Sequence, residues 1–114
     1  FERRWVALGD DLASLAAAQF VRKHGGAQRI GYKVNSVLGL AEAVESGLGI
    51  GHLPCFIADV RPALVRLAPP DPALAADLWL LTHPDLRHSA RVRVFLDTLA
   101  ADIARERALI EGGV

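Results

Sequence analysis

The residues of this sequence able to do chemistry are few. They are four histidines (His24, His52, His83 and His88), one cysteine (Cys55), an acidic turn at Asp10-Asp11, a polar turn at Asn35-Ser36 and the stretch Gly47-Leu48-Gly49-Ile50-Gly51. The histidines form no HExxH pair and the lone cysteine no CxxC, so both common zinc spacings are missing. There is no GxSxG elbow to expose a serine nucleophile and no Walker loop. The glycine stretch lies on a helix-to-strand turn, whereas a dinucleotide fingerprint lies on a strand-to-helix turn. Its glycines are expected to close the turn and let the strand pack tightly. Cys55 sits in the apolar run His-Leu-Pro-Cys-Phe-Ile, where a free thiol acts as a small hydrophobe. A redox role needs an exposed, acidified thiolate, and only His52 is nearby to assist.

The two polar turns are more informative. Each follows a predicted strand and precedes a predicted helix, and open α/β sheets bind ligands at the carboxyl ends of their strands. One of Asp10 and Asp11 can cap the following helix, or one can face a ligand. Asn35-Ser36 offers a cap and also a carboxylate site, because free N–H groups and a hydroxyl at a helix start serve both purposes.

Positioning these turns requires alternating strands and helices, and the apolar pattern supplies them. Arg4–Leu8 reads as a strand. Asp11–His24 reads as a helix with Leu12, Leu15, Ala16 and Phe20 on one face, ended by Gly25-Gly26. Gln28–Val34 reads as a strand, and a helix with Val37, Leu40, Ala41 and Val44 inward runs to Gly47. Leu48–Leu53 reads as a third strand, and Pro54 starts a short helical turn through Ala58 at its first helical position. Ala63–Leu67 and Leu78–Thr82 read as further strands on either side of the loop Ala68-Pro69-Pro70-Asp71-Pro72. Ser89 caps a last helix striped by Val92, Phe95, Leu96, Leu99 and Ile103. The tail Glu111–Val114 is expected to fray. Trp5 and Trp79 read as core or cleft-wall aromatics. His88, Arg91 and Arg93 read as a solvated face with Asp85 as a candidate partner. The alternation predicts an α/β sheet with helices on both faces.

The totals agree. With 114 residues, 52% of them hydrophobic, and a mean hydropathy of +0.26, the chain can bury one core. Thirteen basic residues balance thirteen acidic ones, so the segment lacks the positive excess that nucleic-acid binding requires. No apolar run approaches the ~18 residues of a membrane span. The start Phe1-Glu2-Arg3-Arg4 does not read as a signal peptide, and the chain is expected to begin inside a longer protein. A single thiol suits a reducing compartment.

Residues 34–56, VNSVLGLAEAVESGLGIGHLPCF, resemble the effector domain of LysR-type transcriptional regulators. The order is a strand ending at a short polar turn, a helix closing on Ala-Val-Glu-Ser-Gly, a Gly-Leu-Gly-Ile strand and a Leu-Pro turn. Residues 78–100, LWLLTHPDLRHSARVRVFLDTLA, resemble the family's closing strand, His/Arg-rich loop and final helix, and the likeness extends from Trp5 to Arg105.

That resemblance implies a type 2 periplasmic-binding-protein-like lobe with a mixed sheet. Residues 1–77 correspond to the second regulatory lobe, and residues 78–114 to the strand and helix returning toward the first. Most of the first lobe and the DNA-reading winged helix-turn-helix are expected to lie outside this sequence. It further implies a cytoplasmic, non-enzymatic homo-oligomer without a cofactor or metal, sensing a small carboxylate or aromatic metabolite. The residues matching the family's effector cleft are Gly9 and Asp10, then Asn35, Ser36 and Val37, then His52, Leu53 and Pro54. Peroxide-sensing members carry a reactive cysteine where this chain has Gly9-Asp10-Asp11-Leu12, so thiol sensing is not expected. A solute-binding lobe of a transporter shares this architecture, and a small α/β enzyme is a third reading without a visible nucleophile. The isolated segment is expected to bind effector poorly and to expose the apolar stripe of its last helix.

Overall fold

The structure, a computed structural model, describes residues 4–12 and 15–113. The basic start at Glu2-Arg3 and the terminal Val114 lie outside the described residues. Strand β1 (Trp5–Leu8) pairs in parallel with β2 (Ile30–Val34). Helix α1 (Ala16–Gly25) joins them, and α2 (Val37–Glu45) follows β2.

The third predicted strand is reduced to one parallel bridge, Trp5 to Ile50, on the other side of β1. It is held by Val6 N–H donating to the Ile50 carbonyl at 2.8 Å and Ile50 N–H donating to the Arg4 carbonyl at 2.9 Å. The flanking glycines explain both the closeness and the shortness. Gly47 takes φ +87° to turn out of α2. A Cβ on Gly49 would stand 2.4 Å from the Arg4 carbonyl oxygen, so only glycine permits this approach. The glycines therefore serve the turn and the packing, as their context indicated.

Val6, Leu8, Ala18 and Leu40 form the buried centre, tying β1 to α1 and α2. Leu12, Val34, Val37, Val44 and Leu53 close over it. The Trp5 ring lies against Gly25 at the end of α1, which confirms it as a packing residue. Helix α1 starts five residues later than its apolar pattern suggested. A 3-10 turn, Asp10–Leu12, precedes it, and its N-cap is Leu15 with no side-chain bond.

The second half departs from expectation more sharply. Ala63–Leu67 and Leu78–Thr82 are not strands, and among the described residues no antiparallel pair completes a mixed sheet. The reason is physical: alternating apolar residues become a strand only beside a partner strand, and neither segment has one. Trp79 is accordingly 71% exposed and Leu81 86%, so Trp79 is no core residue here. The chain continues through α3 (Cys55–Ala58), α4 (Ala90–Arg105) and α5 (Arg107–Ile110). Pro54 stands one position before α3, as its N-cap, and its carbonyl accepts from Ile57 and Ala58.

Helix α5 packs back on α3. Arg66 fixes this return by donating to Asp59 at 2.5 Å and to the Gly112 carbonyl at 3.1 Å, so the tail is held at Gly112 and does not fray there. Phe95 on α4 is exposed, while Val92, Leu96, Leu99 and Ile103 are half-buried. Asp85 pairs with His83 at 3.5 Å, not with the Arg91-Arg93 face.

The result is elongated, 56 × 31 × 25 Å, with a radius of gyration of 17.0 Å where a compact chain of this length has about 13 Å. Its accessible surface is 8766 Å², against about 6100 Å² for a folded monomer of this mass.

Candidate functional site

The parallel ladder brings three loops to one edge. Gly9 N–H donates to the Val34 carbonyl at 2.7 Å, extending the pairing one residue past β1 and setting Gly9-Asp10 beside Asn35-Ser36. Ser36 is the N-cap of α2, its hydroxyl accepting from Gly39 N–H at 3.0 Å. That bond uses the hydroxyl as an acceptor and leaves its O–H free to donate. Asn35 is exposed, and Val37 and Leu53 are half-buried against the core. His52 and Pro54 flank Leu53 on the segment that leaves the Ile50 bridge.

Asp10 neither caps α1 nor is buried. Its carboxylate lies 3.3 Å from Arg22 and 3.5 Å from Lys33, and its side chain is 81% exposed. Ion pairs in such surroundings contribute about 0–1 kcal/mol. Asp11's side chain lies outside the described residues.

Beside this edge runs an open groove of about 500 Å³ lined by Leu8, Arg22, Ile30, Gly31, Tyr32 and Lys33. It runs along β2 and includes none of the eight residues singled out in the sequence. Arg22 and Lys33 give it positive charge, of which Asp10 neutralises part. Helical and strand periodicities mark both cations only as solvated, so their convergence on Asp10 had no local signal.

His52 is half-buried on the segment leaving the Ile50 bridge. Partial burial pushes its pKa below the ordinary value, and the nearby Asp71 charge opposes that shift. Its ring lies 5.0 Å from Phe20, which stacks on His24 at 4.0 Å. Since the folded pKa is lowered, the unfolded chain binds the proton more readily. Stability is therefore complete above the ordinary imidazole range of about 6.5 and falls as pH drops below it. Melting between pH 7.5 and 5.5 should show this decline, and His52→Gln should flatten it; parallel slopes would assign the decline to other groups.

Cys55 is half-buried and unpaired, with its sulfur close against Gly112, in keeping with a small packing residue. Among the described residues no group of three His, Cys, Asp or Glu side chains gathers to hold a metal, and no helix is long and apolar enough to cross a membrane.

Residues 2–104 fit the family model of the LysR substrate binding domain. No curated protein and no solved structure matches the chain.

Proposed function

Because the chain belongs to the LysR substrate binding domain family, we propose that it is the sensing lobe of a LysR-type transcriptional regulator that closes on a small effector through the carboxyl edge of β1, β2 and the Ile50 segment. Domains of this family belong to regulators and bind effectors, and the family implies a type 2 periplasmic-binding-protein-like α/β fold. The observation that carries the placement is the Gly9–Val34 hydrogen bond, which holds the two polar turns side by side at the strand ends where α/β sheets receive ligands.

In this reading, Ser36 O–H and the free N–H groups at the start of α2 receive an anionic part of the effector. Gly9 lets backbone approach closely, Asp10 and Asn35 contribute polar contacts, and Val37, Leu53 and Pro54 form an apolar wall with His52 at its margin. Residues 1–77 form the second lobe. Residues 78–114 carry the segment after Leu78 and helix α4 toward a first lobe that completes the cleft. The effector favours one of two lobe arrangements, and that difference in affinity shifts how the regulator sits on DNA.

Small carboxylates and aromatic acids screened by thermal shift against the full-length regulator test this. Ser36→Ala should weaken the best binder about tenfold or more, the size of one lost charge-assisted hydrogen bond. Loss of the cap should cost about 0.5–2 kcal/mol of stability. Unchanged affinity in Ser36→Ala, Asn35→Ala and Asp10→Ala together would move the site elsewhere.

We also propose that the parent is a homo-oligomer. The excess surface, with Trp79, Leu81 and Phe95 exposed, is larger than the ~800 Å² each partner contributes to a stable interface. This chain should therefore self-associate in sedimentation velocity as its concentration rises, and Trp79→Ser with Phe95→Ser should suppress it. A strictly monomeric profile at high concentration contradicts the proposal.

A further inference from the structure

The groove along β2 combines two kinds of surface. Leu8, which is buried, and Ile30, which is half-buried, give it an apolar lining, and Tyr32 adds an exposed aromatic ring. Arg22 from α1 and Lys33 from β2 give it two cations on exposed side chains. Its volume of about 500 Å³ falls within the ~300–1,000 Å³ of small-molecule pockets.

Asp10 shows what the two cations can hold. A single oxygen, Oδ1, accepts from Arg22 Nη2 at 3.3 Å and lies 3.5 Å from Lys33 Nζ. Side chains from two different elements therefore converge on one carboxylate. That carboxylate is exposed, and pairs so open to water are worth about fivefold at most in an equilibrium. Asp10 has one methylene and is not part of the groove lining, so it uses the cations but not the apolar surface beside them.

We propose that this groove is a second binding site, for a small organic anion that carries one carboxylate on an aromatic body. The carboxylate replaces that of Asp10 between Arg22, which offers a fork of N–H donors, and Lys33, which offers a point charge. The aromatic body lies on Leu8 and Ile30 beside the Tyr32 ring. Both cations keep a partner through the exchange, so the gain comes from the apolar contact that Asp10 cannot make. Asp10 is the site's internal competitor. This inference does not rest on the effector reading, which seats its anion on Ser36 and the start of α2.

The test is an amide-detected NMR titration of the 114-residue chain with phenylacetate at pH 7. Acetate, which lacks the ring, and phenylacetamide, which lacks the charge, are titrated beside it. Phenylacetate should move the amides of Arg22 and of residues 30–33 together, and should bind about tenfold more tightly than either control. Arg22→Gln should weaken it about tenfold, the size of one lost charge-assisted hydrogen bond. Asp10→Asn keeps the size of the side chain but removes the competing charge, so it should tighten binding about two- to fivefold. The amide spectrum of each variant reports its fold directly. An affinity unchanged or weakened in Asp10→Asn would overturn the proposal, as would wild-type affinity in Arg22→Gln. Either control binding as tightly as phenylacetate would overturn the ligand class. Shifts centred on Asn35, Ser36 and Val37 would place the anion at the effector edge and overturn the second site.

Discussion

Leu40→Ala is expected to cost about 2–5 kcal/mol, the range for removing a buried leucine and leaving part of its cavity. Leu40 is 2% exposed and is the link through which α2 joins Val6 and Leu8. The buried set is small: Val6, Ala7, Leu8, Ala18, Val21, Leu40 and Ala41. Three of these are alanines, so few large side chains remain to relax into the space. A domain of this size holds about 5–15 kcal/mol in total, and one with so little core stands at the low end. With a urea slope of about 1–3 kcal/mol per molar, the midpoint should fall by roughly 1–3 M, or the variant should fail to fold. A midpoint within error of wild type would show that α2 is not docked as described. Leu38→Ala, on the exposed side of the same helix, is the control and should change little.

Gly49→Ala should be nearly as damaging although it adds one methyl group. The added carbon would meet the Arg4 carbonyl oxygen at 2.4 Å, and that oxygen already accepts from Ile50 N–H. A backbone atom cannot rotate away as a side chain can. The Ile50 segment must leave β1, losing both of its hydrogen bonds at about 1 kcal/mol each besides the overpacking cost of about 1–3 kcal/mol. Gly31→Ala makes the comparison sharp, because its new methyl would meet only the flexible Arg4 side chain at 3.2 Å. A thermal melt should separate the two variants clearly. Equal melting temperatures would mean that the Ile50 bridge contributes nothing to the fold.

What could be read in the sequence was local. Ser36 before an apolar helical face, and Gly47 after it, specify α2 within one residue, because a cap and a positive-φ turn depend on neighbouring atoms only. Gly25-Gly26 marked the end of α1 for the same reason. The start of α1 was misplaced because Asp10, a good cap by type, is drawn to Arg22 and Lys33. Strands were the weaker reading. Leu78–Thr82 has the residues of a strand, but pairing is a property of two segments, and one segment's pattern cannot supply the other. The eight cleft residues came from turn position and family likeness. The positive groove and the contact of His52 with Phe20 are invisible to periodicity, since each joins residues whose local surroundings give no hint of their partners.

Among the described residues, all the buried side chains lie between Val6 and Ala41, whereas α4 has none. A protein organised this way does not open as one unit. Amide hydrogens of β1 and α2 should exchange with solvent only when the whole fold is lost, while those of α4 should exchange through smaller, more frequent openings. The two regions thus keep different clocks, and the slower one governs the edge where Gly9, Ser36 and Leu53 meet. A partner that settles on the exposed residues after Leu78 would slow the faster clock first, leaving the protection of that edge almost as it was.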